Sequence, residues 1–312
     1  MTHSVILLGA TGTIGRATYA ALIAKGHRVV APVRAACDLP KSVVTPFTQD
    51  ALAALMVAND CDAVISCLAS RTGTPGDAKA IDHDLNSMAL AAAQTAGVAS
   101  FVLLSAICVQ KPKLAFQHAK LAFEAELRAA PITWSIVRPT AYFKSLSGQV
   151  DRLRAGKPFL LFGNGALTAC KPISDADLAD FLVRCISTPA MQNQTLPIGG
   201  PGPAITPRQQ GEMLFAALGL TPRFTQVPVA MMTAIIGVLS LFGLVSKRAR
   251  DKAELARIGR YYATESMLVW DTSTQRYDPD TTPEYGTQTL TAHYALLAAS
   301  QASDDRGAHA VF

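Results

Sequence analysis

A chain of 312 residues, half of them hydrophobic and 16% charged, carries enough apolar material to bury a sheet on both faces, which excludes a disordered or fibrous protein. The formal net charge of +5 is not gathered into a Lys/Arg run able to follow a phosphate backbone; this argues against nucleic acid and for an anionic small molecule or an acidic lipid surface. The six cysteines (Cys37, Cys61, Cys67, Cys108, Cys170, Cys185) form no C-x-x-C pair, so no metal is expected, and they read as reduced thiols of a cytoplasmic protein.

The first apolar run, Val5–Leu8, is too short for a signal peptide and leads straight into a glycine loop. Further short runs at 28–33, 62–67, 101–105 and 134–137 predict strands, and the stretches 12–25, 51–59, 78–96 and 114–129 between them have helical composition. That alternation predicts an α/β fold, a Rossmann-type doubly wound parallel sheet. After Pro139 the rhythm changes, with glycine and proline clusters at 163–165 and 199–203 and helical runs at 175–186 and 208–218. The expected organisation is a dinucleotide-binding domain over 1–140, a smaller C-terminal substrate lobe over 141–299 with elements returning to the core sheet, and a flexible polar tail over 300–312.

The run VILLGATGTIG places Gly9, Gly12 and Gly15 directly after a strand, in a G-x-x-G-x-x-G spacing that opens a helix. Glycine there lets the backbone approach a pyrophosphate, while the helix N-terminus supplies free N–H groups and partial positive charge. Thr11, Thr13 and Ile14 complete the loop as candidate cofactor contacts. Where an NAD-binding fold often sets an acid on the ribose 2′-hydroxyl, the second strand ends in Arg34, and a guanidinium matches a 2′-phosphate. The expected cofactor is therefore NADPH, the alternatives being a solvated arginine at position 34 and an NAD-type role for Asp38. Ala69 and Ser70, after the strand at 62–67, are small enough for close approach to the cofactor or for any tight strand-to-helix turn, and Pro139 closes the strand that borders the same edge.

Short-chain dehydrogenases pair a serine with Tyr-x-x-x-Lys, the tyrosine serving as acid. Here Ser105 ends its strand and AFQHAKLAFE keeps Lys120 but has Phe116 in the tyrosine's place. Phenylalanine donates no proton, so carbonyl–alcohol chemistry by the usual route is not expected. A lysine without the tyrosine occurs in the atypical branch that reduces activated C=C bonds. The other reading of Lys120 is a solvated charge beside Glu124 at i+4. His118, between Phe116 and Lys120, reads as structural.

Four blocks, LLSAICVQKPKLAFQHAKLAFEAEL, SIVRPTAYFKSLSGQV, CKPISDADLA and ATESMLVWD (263–271), closely resemble the NADPH-dependent divinyl chlorophyllide 8-vinyl-reductases, the form that needs no iron–sulfur cluster. The likeness spans residues 1 to about 290. It implies hydride transfer to the 8-vinyl group of a divinyl tetrapyrrole in (bacterio)chlorophyll synthesis, with Lys120, Ser105 and Tyr142 as candidate catalytic residues and Lys120 also as a cofactor contact. Tyr142 reads either as an alternative acid or as an aromatic wall for a flat substrate. Another planar ene or quinone substrate, or a non-catalytic NADPH sensor, are the competing functions.

Residues 227–245 form nineteen positions without a charge, followed by Lys247, Arg248 and Arg250. Three readings stay open: a spanning helix, a segment dipping into the inner face of a membrane through 227–250, and a helix pair covering the substrate pocket.

Overall fold

The computed structural model describes residues 2–300. In chain order the elements are β1 (Ser4–Leu8), α1 (Thr13–Ala24), β2 (Arg28–Val33), β3 (Ser42–Val44), α2 (Gln49–Ala58), β4 (Ala63–Ser66), α3 (Pro75–Asp77), α4 (Leu85–Thr95), β5 (Ser100–Leu104), α5 (Ala115–Ala129) and β6 (Thr133–Pro139). There follow α6 (Phe143–Leu146), α7 (Val150–Arg154), β7 (Phe159–Phe162), α8 (Asp175–Ser187), β8 (Gln194–Ile198), α9 (Pro207–Ala217) and β9 (Phe224–Val227). The last are α10 (Val229–Phe242), α11 (Lys247–Thr264), β10 (Val269–Asp271), β11 (Arg276–Asp278) and α12 (Leu290–Ser300). The residues beyond Ser300, which hold nearly all of the expected polar tail, lie outside the described part of the chain.

Seven strands make one sheet in the order β3-β2-β1-β4-β5-β6-β8. β1 pairs in parallel with both β2 and β4, so the order reverses beside β1, and in open sheets ligands bind beyond the strand ends at such a reversal. The central strands are buried along their whole length, as parallel strands covered on both faces must be, which is why they read as continuous apolar runs. From these strands Ile6, Leu8, Val64, Phe101 and Leu103 pack with Leu52, Met56, Leu90, Phe123 and Leu127 in one core.

The chain divides into two units. The first holds the N-terminal residues through Ser70, then Pro75–Pro139 and Asp175–Pro197; the second holds Arg71–Thr74, Thr140–Ser174 and the chain from Ile198 onward. In the first, α8 returns to α1, where Lys25 and Asp180 pair at 2.6 Å. In the second, Phe143, Phe159, Leu161, Leu214, Phe215 and Tyr294 form a separate core. The parallel ribbon β7–β9 and the hairpin β10–β11 belong to the second unit; with runs of only three or four residues, they gave no periodicity to read.

Two expectations are corrected. The helical stretch 78–96 is not one α-helix: Ala78–Asp84 is a π-helical turn that leads into α4. The Asn86 amide donates to the carbonyls of Ile81 (3.1 Å) and Asp82 (3.2 Å), taking acceptors that an unbroken ladder would use. The spanning reading of 227–245 also falls, because Phe224–Val227 is a strand and α10 has 14 residues. That is about 21 Å of helix against a hydrocarbon layer of about 30 Å. Among the described residues no helix is long and apolar enough to cross a membrane.

Candidate active site

The glycine loop is shaped by two contacts that leave no room for a side chain. Gly9 has φ +72°, and a Cβ there would meet the Cys67 backbone at 2.7 Å; a Cβ on Gly15 would stand 2.1 Å from the Gly9 carbonyl oxygen. The loop is closed by the Gly12 N–H donating to that same oxygen at 3.1 Å. Gly12 differs: its Cβ position touches only Gly9 O, at 3.4 Å, so the protein itself does not demand glycine there. Gly12 is the N-cap of α1, has extended backbone and receives no side-chain cap, and Thr11 and Gly12 are exposed while Ile14 and Gly15 are buried. Bare backbone at the uncapped, partly positive end of a twelve-residue helix fits the pyrophosphate of a dinucleotide.

Arg34 stands exposed just past β2, and among the described residues it has no ion pair. Asp38 is held by Arg16, whose guanidinium donates at 2.6 and 3.2 Å. Arg16 draws the Asp38 carboxyl below its usual range, first through the hydrogen bond and then through its charge. The sequence reading passed over Arg16, although it directly follows Gly15.

Ala69 and Ser70 follow β4, Ser105 follows β5 and Pro139 ends β6, so all lie at the carboxyl edge of the sheet with the glycine loop. Lys120 is corrected on its surroundings. It is not a solvated charge beside Glu124; it is buried, and its ammonium pairs with the fully buried Asp82 at 2.9 Å. Asp82 Oδ1 also accepts the Ser70 backbone N–H at 3.3 Å. Phe116 is buried one turn before Lys120, while His118 faces solvent.

Glu124 turns inward, accepting from the Ser105 hydroxyl at 2.6 Å, from Arg128 at 2.7 Å and from Arg138 through both carboxylate oxygens. Burial alone would push its carboxyl up, but Arg138, Ser105 and Arg128 hold it below the usual range. The network ties the end of β5 to α5 and β6. Neither Asp82 nor Glu124 was legible as a site residue, since each partner set is assembled from separate elements.

In the second unit, Tyr142 is the half-buried N-cap of α6 and bridges to Ile173. Two blocks far apart in sequence meet there: Cys170 bridges to Met267, and the Ala169 N–H donates to Ser266 Oγ at 2.9 Å. Lys171 is buried and pairs with Glu284 at 2.6 Å. A Cβ on Gly200 would stand 2.0 Å from the Pro172 carbonyl oxygen, so only glycine allows the two backbone segments to approach this closely. The six cysteines are free thiols, and among the described residues no cluster of metal-ligating side chains occurs.

A glycine cradle on the first strand of a doubly wound sheet, with a buried lysine and no tyrosine beside it, defines an NAD(P)H-binding oxidoreductase of the short-chain dehydrogenase superfamily. The NAD(P)H-binding family model matches residues 9–189. The chain is 45% identical to divinyl chlorophyllide a 8-vinyl-reductase, chloroplastic, of Oryza sativa subsp. indica, over 99% of this chain and 82% of that protein. It is 44% identical to the protein of the same name from Cucumis sativus, over 99% of this chain and 80% of that one. The chain belongs to the divinyl chlorophyllide a 8-vinyl-reductase family. Among solved structures, the NADPH-dependent quinone oxidoreductase QOR2 of Escherichia coli, complexed with NADPH, superposes with TM-score 0.66 over 94% of this chain and 99% of that one, at 17% identity. That likeness is one of fold.

Proposed function

We propose that the protein reduces the 8-vinyl group of a divinyl chlorophyllide, or of a closely related magnesium tetrapyrrole, to an ethyl group with NADPH. The observation that carries this reading is the buried Lys120–Asp82 pair at the cofactor edge with Phe116 in the place of the usual acid; membership of the reductase family supports the substrate. The reduced nicotinamide, when bound, supplies hydride. A vinyl group conjugated to the macrocycle takes it at the terminal carbon because the ring system spreads the resulting negative charge. The inner carbon then needs one proton, which completes the ethyl group. The Lys120 ammonium is the assigned donor, and the Gly9–Gly15 loop, Ala69 and Ser70 seat the dinucleotide.

NADPH is favoured over NADH by Arg34, free of carboxylates at the end of β2, while the nearby acid Asp38 is neutralised by Arg16. The reading is tested by incubating purified protein with divinyl chlorophyllide and either cofactor, following the pigment by absorption and chromatography. Conversion to the 8-ethyl product should run preferentially with NADPH. Arg34→Ala should raise the NADPH KM and hardly alter that for NADH. Equal damage to both cofactors would remove the 2′-phosphate assignment, and no conversion with either would remove the reductase reading.

The membrane contact through 227–250 is proposed as a peripheral one with an anionic lipid surface. Along α10 and the turn after it, Val238, Leu241 and Phe242 are exposed, and exposure climbs to 79% at Leu244 and 89% at Val245. Lys247, Arg248 and Lys252 follow, all exposed. Arg250 is better left out of this set, because its guanidinium donates to the Gly243 carbonyl at 3.2 and 3.3 Å. An apolar tip with cations behind it suits a headgroup layer. Replacing Lys247, Arg248 and Lys252 with glutamine should weaken sedimentation with phosphatidylserine vesicles by about 1 kcal/mol per charge. Wild-type protein that stays in the supernatant would leave the hairpin as a pocket cover only.

A further inference from the structure

Asp82 is a buried charge at the cofactor edge, 1% exposed, and the reduction as described above assigns it no step of its own beyond being the counter-ion of Lys120. Its backbone lies in the π-helical turn Ala78–Asp84, a local distortion that often marks functional positions. The turn is fixed through Asn86, which accepts from the Ser66 hydroxyl at 2.6 Å while its amide holds the Ile81 and Asp82 carbonyls. This directs the carboxylate so that Oδ1 receives both the Lys120 ammonium at 2.9 Å and the Ser70 N–H at 3.3 Å. Oδ2 is equally buried and has no hydrogen-bond partner.

The arrangement is a poor device for stability. A buried ion pair recovers little over an apolar pair of the same volume, and an unsatisfied carboxylate oxygen adds cost. Nor is Asp82 a stand-in for some nearer acid: Glu124, one turn beyond Lys120, is committed to Ser105, Arg128 and Arg138. The lysine is therefore placed by Asp82.

We propose that Asp82 is a positioning residue for the reduction: by gathering the Lys120 ammonium and the Ser70 amide on one carboxylate oxygen, it sets the lysine and the loop after β4 as one unit. Seating of the dinucleotide along that loop then fixes where the proton donor stands. The inference rests on the assignment of Lys120 to the reaction.

Two substitutions in the full-length protein separate the two bonds. Asp82→Asn keeps an acceptor for the Ser70 N–H but removes the charge that holds Lys120; Asp82→Ala removes both. With Asp82→Asn, kcat for divinyl chlorophyllide should fall about 10²-fold, the loss typical of a reacting group misplaced by an ångström. The KM for the pigment and the NADPH Kd, read by fluorescence titration, should stay within about twofold, since the contacts that bind both are untouched. Asp82→Ala should show the same loss of kcat and in addition raise the NADPH Kd about tenfold, as expected for a lost hydrogen bond to a charged acceptor. Wild-type kcat in Asp82→Asn, or wild-type Kd in Asp82→Ala, would overturn the inference. Should the single variants fail to fold with a lone buried ammonium, Asp82→Asn combined with Lys120→Met removes both charges. That double variant should turn over no more slowly than Lys120→Met alone, and a further tenfold loss would show that Asp82 does not act through the lysine. If Lys120→Met itself keeps wild-type kcat, the lysine assignment fails, while the Kd of Asp82→Ala still reports on the Ser70 link.

Discussion

Gly15→Ala is expected to abolish dinucleotide binding, because the added methyl would stand 2.1 Å from the Gly9 carbonyl oxygen and 2.9 Å from Ala10 Cα. Both neighbours are backbone and cannot rotate aside. Relief requires α1 to move off β1, and forced overpacking of this kind costs about 1–3 kcal/mol or more in proteins whose whole stability is about 5–15 kcal/mol. The informative partner is Gly12→Ala. Its methyl would meet only the Gly9 oxygen at 3.4 Å, ordinary contact, so the protein without cofactor should melt close to wild type. A large loss of NADPH affinity in Gly12→Ala with an unchanged melt would then report on the approach of the ligand alone. In Gly15→Ala the melting temperature and the affinity should fall together. An unaltered NADPH titration for Gly15→Ala would mean that the loop is not the pyrophosphate site.

What could be read from the sequence follows from where each signal lives. β1, β4 and β5 were legible because a strand buried on both faces is written as an unbroken apolar run, and the glycine loop because sterics allow one residue type at Gly9 and Gly15. Lys120 stood out by its spacing from Phe116, and of its two readings the solvated pairing with Glu124 is the one that the structure removes. Glu124 at i+4 is the neighbour that helix geometry offers, but Ser105 and Arg138, delivered by two other strands, turn Glu124 away. Asp82, thirty-eight positions upstream, becomes the counter-ion instead. Such a pairing depends on the sheet order, with α4 and α5 brought together beside β4 and β5, and no local pattern encodes it. Arg16 is a different case, since its place after Gly15 was visible and only its partner Asp38 was not. The short ribbon β7–β9 escaped because four residues carry too little periodicity, and β8, at the end of the seven-stranded sheet, because its five residues are interrupted by a proline.

Replacing Lys120 carries the largest expected effect on turnover, and the variant has to be chosen with Asp82 in view. Lys120→Ala would leave a carboxylate that is 1% exposed with only the Ser70 amide for company, and a lost buried partner of this kind costs about 3–5 kcal/mol. Lys120→Met fills the space but leaves the same charge, so stability must be measured beside activity for either. For protein that remains folded, turnover of the 8-vinyl group should drop about 10²–10⁴-fold, the usual contribution of a positioned acid–base group. NADPH Kd should change by less than about tenfold, because the glycine loop and Arg34 are intact; a defect carried by Kd instead would make Lys120 a ribose contact and not the acid. Tyr142→Phe is the comparison. It keeps the aromatic ring of this half-buried N-cap and removes only the hydroxyl. If Tyr142→Phe loses turnover by the larger factor and Lys120→Met by little, the proton comes from the phenol and Lys120 is left with the cofactor. If Tyr142→Phe turns over normally, the ring is a wall for a flat substrate, and the ammonium that Asp82 holds is the group that completes the ethyl product.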